Sequence, residues 1–290
     1  MIMRIIESLA EMHAEAAEMH ARRCTCGLVP TMGALHRGHL SLVERSKAEN
    51  DITAMSVFVN PTQFMAGEDF DTYPRTWDED IEAAERAGVD IVFHPTPEQM
   101  YPPRAQTSVQ VHALTRGLCG MSRGQGHFRG VTTVVAKLFN LVRPTRAYFG
   151  QKDAQQAVVV QRMVIDLNFP VEIVVCPIVR EEDGLALSSR NRNLPPELRE
   201  RALALREALV LGRRMIQGRE QDAFTLANAM QEHILRDPDI EVDYLDIVSP
   251  ETLEEVERVD DLVLIAGAVK IGGVRLIDNI LVGPDGPWSD

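Results

Sequence analysis

The sequence predicts an α/β fold: a doubly wound parallel sheet followed by a smaller α+β domain. Up to about residue 179, short apolar runs alternate with segments of helical period. Beyond it the texture changes to long helical segments and then further strand-like runs. Polar, glycine-containing stretches sit at the carboxyl ends of the early apolar runs, where open parallel sheets bind ligands.

The elements follow in order. Strands are expected at 24–29, 52–59, 89–93, 146–149 and 171–176, with helices at 38–50, 77–87, 129–141 and 153–167. Strands alternating with helices imply a Rossmann-like sheet covered on both faces. Thr76 and Glu79 form a capping-box signature for the helix at 77–87, and Gly88 stands where a C′ glycine belongs. A first domain at 1–179 and a C-terminal α+β lid domain at 180–290 are therefore expected. In the second, helices begin near 195–200 and continue through "ALALREALVLGRRMI", and strands are expected at 242–248, 262–269 and 274–280.

The chain has 290 residues, 45% of them hydrophobic and 25% charged, which is ordinary for a globular protein with a sizeable core. Its formal charge of −13 argues against a broad nucleic-acid or anionic-membrane surface. A phosphate ligand would need a local cationic pocket. The N-terminal stretch lacks the apolar core of a signal peptide and carries acidic residues unlike a transit peptide, and no apolar run reaches membrane-span length. No membrane association and a cytoplasmic location are expected. Cys24, Cys26, Cys119 and Cys176 are too few and scattered for a disulfide framework, and Cys24 and Cys26 are read as buried free thiols.

The stretch "PTMGALHRGHL" places His36 and His39 three residues apart where a strand gives way to a helix. On a helix that spacing puts both rings on one face, and the free N–H groups of a first turn favour an anion. Gly33 permits a positive φ or close ligand approach, and Gly38 leaves no side chain between the rings. "VFVNPTQF" ends a strand with Asn60 and Gln63. Turn chemistry explains Asn60 alone better than a ligand does, but Gln63 offers an amide that donates and accepts, suiting a ligand with a carboxylate and a hydroxyl.

"AYFGQKDAQQ" brings Gly150, Lys152, Asp153 and Gln156 to another helix start, with Lys152 as a point charge for phosphate and Asp153 as a cap or ligand contact. "REEDGLALSSRN" offers hydroxyls and a guanidinium on a loop suited to clamp phosphate. In "GQGHFRGV", Arg129 is as well explained by a surface ion pair as by a ligand contact.

"PTMGALHRGH", "VFVNPTQF", "YPRT", "GHFRGV", "FGQKDAQQ" and "REEDGLALSSRNRNL" stand in the order that resembles the pantothenate synthetase (pantoate:β-alanine ligase) family, within the wider H-x-G-H nucleotidyltransferases. The resemblance covers residue 30 to about 194. It implies that pantoate attacks the α-phosphate of ATP, giving pantoyl adenylate and pyrophosphate, and that β-alanine then displaces AMP. Met32, Gly33, Ala34, Leu35, His36, Arg37, Gly38 and His39 would line the ATP site, with His36 and His39 stabilising the phosphates. Gly150, Gln151, Lys152 and Asp153 match the adenosine-binding stretch, Val179 a backbone contact to the nucleotide, and Leu187, Ser188, Ser189 and Arg190 the flexible phosphate loop. Gln63 and Gln156, with Asn60, would hold the substrate.

Helix dipole, histidines, Lys152 and Arg190 are the charge-stabilising groups an adenylation transition state calls for. Magnesium would arrive with ATP, and Asp80 is a candidate carboxylate partner that would equally favour its own helix N-terminus. The resemblance also implies a homodimer through the N-terminal domain. Two departures stand out: Gln151 replaces a common glutamate, and Leu187 a common methionine. A different nucleotidyltransferase and a nucleotide-binding regulatory module are the competing readings. A tRNA synthetase is disfavoured by the acidic balance.

Overall fold

In a computed structural model the structure describes residues 3–65, 67–68 and 70–284. The chain divides into two compact units: Met1–Ala113, Arg123–Gly150 and Val159–Cys176 form the first, and Leu114–Ser122, Gln151–Val158 and Pro177–Asp290 the second. Residues 114–122, 151–158 and 177–179 thus group with the second unit although they precede the 179/180 boundary expected from sequence texture.

The first unit is built on a six-stranded sheet of β1 (Arg4–Ile6), β2 (Cys26–Thr31), β3 (Ile52–Val57), β4 (Ile91–Phe93), β5 (Arg146–Gly150) and β6 (Glu172–Cys176), in the order β1-β4-β3-β2-β5-β6. Every pairing is parallel. All six residues of β3 are buried, as a strand covered on both faces requires, so its sequence ITAMSV is a continuous small-to-apolar run. From β2 the chain works outward through β3 and β4, then returns to β5 and β6 on the other side. The topological switch lies between β2 and β5, whose carboxyl ends are Thr31 and Gly150.

Helices α1 (Leu9–Ala21), α2 (Arg37–Glu49), α3 (Trp77–Ala87), α4 (Pro97–Met100), α5 (Cys119–Val142) and α6 (Ala154–Asp166) separate the strands. β1 and α1 were not expected. The signal for α1 was present: Met12, Ala16 and Met19 at four- and three-residue spacing are its buried face, and the Ser8 hydroxyl accepts from the Glu11 N–H. Gly88 closes α3 at φ 77°, as expected. The capping box does not form: Thr76, at φ −115° and ψ 54°, leaves the extended region an N-cap needs, and its side chain makes no cap bond. Asp78, Glu79 and Asp80 still place negative charge on that first turn. α5 begins ten residues earlier than expected, interrupted at Gly124 (φ 76°, ψ 162°).

The second unit holds the antiparallel sheet of β7 (Glu241–Val248), β8 (Val263–Ile271) and β9 (Val274–Val282). Gly272 and Gly273, both at positive φ, supply the tight β8–β9 turn. Against this sheet, α7 (Ala204–Gln217) and α8 (Ala223–Ile234) bury Leu205, Leu209, Ile216, Leu226 and Met230 with Ile265 and Ile280. The helix expected from residue 195 onward begins only at Ala204; Pro196–Leu198 and Arg201–Leu203 are 3-10 turns, in which the Leu198, Arg199 and Leu203 N–H groups bond the carbonyl three residues back. Among the described residues no helix is long and apolar enough to cross a membrane.

Candidate active site

In the first unit the chain leaves β2 through a loop held by one buried carboxylate. Asp80 Oδ2 accepts from the Ala34 N–H at 2.9 Å and Asp80 Oδ1 from the Leu35 N–H at 2.7 Å. This loop runs through two left-handed residues, Gly33 at φ 81° and Ala34 at φ 49°. A Cβ on Gly33 would stand 2.9 Å from Asp80 Oδ2, so glycine is required by both backbone and space. Asp80, read from sequence either as a partner for magnesium or as an acid favouring its own helix N-terminus, is only 3% exposed, and each of its oxygens accepts one loop N–H.

The loop delivers His36 as the N-cap of α2, at φ −143°, with His39 inside the first turn. The expectation of two histidines on one helical face is therefore corrected in detail, since only His39 is helical. The rings nevertheless stack, 4.0 Å apart and 25° from parallel. His36 Nδ1 accepts from the Gly38 N–H at 3.1 Å, and His39 Nδ1 accepts from the His36 N–H at 3.3 Å. Each Nδ1 is thus an acceptor, so the neutral ring carries its hydrogen on Nε2. Two imidazole N–H donors at a helix N-terminus suit an anion that gains charge during reaction.

Gln63, 9% exposed, closes a 3-10 turn after β3, and its Nε2 lies 2.9 Å from Met32 Sδ. Its Oε1 accepts from Asn60 Nδ2 at 3.0 Å. Asn60 is therefore more than a turn former: it is 1% exposed and also bonds Gly130, Thr62 and Tyr101. Met32, the 33–39 loop, Asn60, Gln63 and Asp80 form one connected set within this unit. His127 Nδ1 lies 2.7 Å from the Gln63 carbonyl, and His127 Nε2 faces Arg123, which grips Glu68 with two hydrogen bonds of 2.8 and 2.9 Å. Burial pushes the Glu68 carboxyl up, but the Arg123 bonds and charge, the Met65 N–H and the nearby His127 together hold it below its ordinary range. Arg129 is exposed and makes no ion pair among the described residues, so the surface-pair reading loses its support.

Gly130 shows how tightly α5 approaches this turn. A Cβ there would lie 2.2 Å from the Thr62 carbonyl oxygen and 2.6 Å from Gln63 Cα, both backbone. Gly130→Ala is expected to lower stability by about 2 kcal/mol through overpacking, which a thermal melt would register as a reduced Tm. An unchanged melt would mean the turn yields freely.

In the second unit, Gln151, Lys152 and Asp153 form a 3-10 turn leading into α6. Asn279 pins it, donating from Nδ2 to the Gln151 carbonyl at 2.9 Å and to the Lys152 carbonyl at 3.1 Å. The Gln151 side chain is 5% exposed and donates to Asn279 Oδ1 at 3.3 Å, a bond a glutamate has no hydrogen to make. This explains the departure: Gln151 is matched to Asn279, and its side chain serves the turn. Lys152 Nζ stands 3.9 Å from Asp153 Oδ2, with a fifth of the lysine side chain exposed. Gln156 is half-buried, and its amide makes no hydrogen bond among the described residues. Its neighbour Gln155 points inward, donating to the Leu114 and Gly117 carbonyls at 2.9 Å each.

The 180–190 segment, expected from sequence as a phosphate clamp loop, is tied back at several points. The Leu187 N–H bonds the Val179 carbonyl at 3.0 Å, Gly184 turns at φ 96°, and Arg180 grips the buried Asp278 at 2.7 and 3.0 Å. Ser188 Oγ then accepts from the Arg190 N–H, capping a 3-10 turn over Ser189–Asn193. Asn191 ties that turn back to Glu181 and Ala186. Sequence reasoning missed Tyr101 and Asn279, which act on Asn60 and on the Gln151–Lys152 turn from distant stretches without a local motif, and Asp278, which holds Arg180. For Cys24 the expectation of burial also fails; it is half-exposed, whereas Cys26 is buried.

A sequence profile described as Pantoate-beta-alanine ligase matches residues 4–281. A pantothenate synthetase of Thermotoga neapolitana is 53% identical over 97% of this chain and all of its own length. One of Acetivibrio thermocellus is 51% identical over 97% and 99%. The crystal structure of a pantothenate synthetase from Thermus thermophilus superposes with a TM-score of 0.90 at 48% identity, covering 96% of this chain and 98% of that one. A pantoate-beta-alanine ligase from Francisella tularensis, complexed with beta-gamma ATP and beta-alanine, gives 0.78 at 34% identity over 98% and 100%. With a match this long and relatives this similar over their whole length, the chain belongs to the pantoate-beta-alanine ligase family.

Proposed function

We propose that the ATP-dependent condensation of pantoate with β-alanine, which family membership establishes for this chain, runs through a pantoyl adenylate on the residues described above. The pantoate carboxylate attacks the α-phosphorus, the bond to the bridging oxygen breaks, and pyrophosphate leaves. The β-alanine amine then attacks the acyl carbon, AMP departs, and the amine loses a proton as the amide forms. The observation that carries the reading is the stacked His36–His39 pair at the start of α2, two Nε2–H donors where phosphate charge would develop.

Motif match assigns the remaining roles. Met32, Gly33, Ala34, Leu35, Arg37 and Gly38 line the nucleotide site, and Gly150 allows close approach, since a Cβ there would enter open space. Lys152 and Arg190 supply charge; Asp153, Val179, Leu187, Ser188 and Ser189 contact ATP, and Asn60, Gln63 and Gln156 hold substrate. Magnesium belongs to ATP in this scheme. Among the described residues no cluster of three or more His, Cys, Asp or Glu suited to a metal occurs, and each Asp80 oxygen accepts one loop N–H, so a dedicated metal cage has no support.

The same reading takes the protein to be a cytoplasmic homodimer. Its four free thiols suit a reducing compartment. β6 is an open sheet edge, and the α6–β6 segment exposes Ile165, Leu167 and Val175. Sedimentation as a monomer would remove the dimer.

The order of chemistry is tested by isotope exchange. With pantoate, ATP and magnesium but no β-alanine, labelled pyrophosphate is expected to enter ATP. Gln63→Leu is expected to lose that exchange at subsaturating pantoate while calorimetry still shows ATP binding, because a substrate oxygen is left unpaired. Exchange without pantoate, or only after β-alanine is added, would overturn the adenylate.

A further inference from the structure

The network behind Gln63 has a direction that can be read from its backbone members. A backbone N–H only donates and a carbonyl only accepts. The Thr62 N–H lies 3.3 Å from Asn60 Oδ1, and the Gly130 carbonyl lies 3.2 Å from Asn60 Nδ2. Together they fix which end of the Asn60 amide is oxygen. Its Nδ2 has a second hydrogen, given to Gln63 Oε1 at 3.0 Å. Gln63 must then turn its NH2 end away from Asn60, where one hydrogen meets Met32 Sδ. The amide that sequence reasoning took to donate and accept is set to donate.

The shortest bond onto Asn60 comes from none of these backbone groups. The Tyr101 hydroxyl donates to Asn60 Oδ1 at 2.7 Å, and the Thr62 hydroxyl lies 3.1 Å from the phenol oxygen. Tyr101 is itself rigidly placed. It ends α4, with its N–H on the Pro97 carbonyl at 2.7 Å, after the fully buried Met100. Burial pushes the Tyr101 hydroxyl above its ordinary value against the opposing Thr62 bond, so it keeps its proton.

We propose that Tyr101 is a positioning residue for pantoate: through Asn60 it locks Gln63 as a hydrogen-bond donor, so that Gln63 selects an oxygen acceptor on the substrate. This rests on the reading of Gln63 as a pantoate contact. Tyr101→Phe keeps the ring and removes only the donor. Asn60 Oδ1 then keeps only the Thr62 hydroxyl at 2.9 Å and the Thr62 N–H at 3.3 Å, and its Nδ2 the Gly130 carbonyl at 3.2 Å and Gln63 at 3.0 Å, all longer than the bond lost, so Gln63 spends part of its time misdirected. Gln63→Glu keeps the shape and replaces the donor with an acceptor carrying charge.

The test measures pantothenate formation with pantoate and ATP varied separately, alongside thermal melts. Tyr101→Phe is expected to raise the pantoate KM about fivefold, the scale of one hydrogen bond, with the ATP KM and Tm near wild type. Gln63→Glu is expected to be as poor as Gln63→Leu. A Tyr101→Phe enzyme with wild-type pantoate KM, while Gln63→Leu is impaired, would overturn the role of Tyr101 alone. Parallel rises in both KM values with a lowered Tm would reduce Tyr101 to general support and overturn it too. Wild-type pantoate KM in Gln63→Leu would instead overturn the reading of Gln63 and the proposal with it.

Discussion

Purified His39→Ala and Lys152→Ala enzymes are each expected to turn over about 10²- to 10³-fold more slowly than wild type, the loss of one electrostatic contact to developing charge. The two differ in what else they disturb. His39 Nδ1 accepts from the His36 N–H within the cap of α2, so its removal also costs about 1 kcal/mol of helix capping. A Tm lowered by roughly 2–4 °C should accompany the kinetic loss. Lys152 contributes its backbone carbonyl to Asn279, which alanine retains, so that variant should melt as wild type does. Steady-state kinetics and melts on the same preparations separate the two. Wild-type turnover in either variant would strike that residue from the catalytic set.

The helix N-terminus at His36 and the polar turn at Gln63 were legible because both are local. Glycines, an N-cap position and a strand end announce themselves within ten residues. The parallel sheet was legible for a similar reason: a strand such as β3, buried throughout, reads as an unbroken run of apolar and small uncharged residues. β1 was not, because three residues beside an exposed edge carry too little pattern, with only Ile6 of the three buried. The strand exists through its register with β4, a partner more than eighty residues away.

Partners at long range explain the other differences. Asp80 reads as an N-terminal acid of its own helix, and its pairing with Ala34 and Leu35 spans some 45 residues. Gln151 reads as a weakened glutamate until Asn279, 128 residues on, supplies its partner. The failed capping box at Thr76 belongs to the same class. The Thr76 backbone leaves the cap conformation, while four residues on Asp80 makes its bonds to the distant Ala34 and Leu35 N–H groups.

Those bonds give the second large effect. Asp80→Ala is expected to cost about 3 kcal/mol or more in stability, since two hydrogen bonds to a buried carboxylate vanish and the Ala34 and Leu35 N–H groups lose their acceptors. Ala34 holds a left-handed conformation that disfavours a residue with a Cβ by about 1 kcal/mol, so the freed loop relaxes. His36 sits immediately beyond it, and a displacement near 1 Å is enough to slow chemistry about 100-fold. Asp80→Asn should not rescue, because its NH2 would face a backbone N–H, donor against donor. The measurement is pyrophosphate exchange with a melt, repeated across a magnesium titration. A loop-building role predicts a deficit that persists at saturating magnesium together with a lowered Tm. A deficit that disappears as magnesium rises, at wild-type Tm, would return Asp80 to the metal.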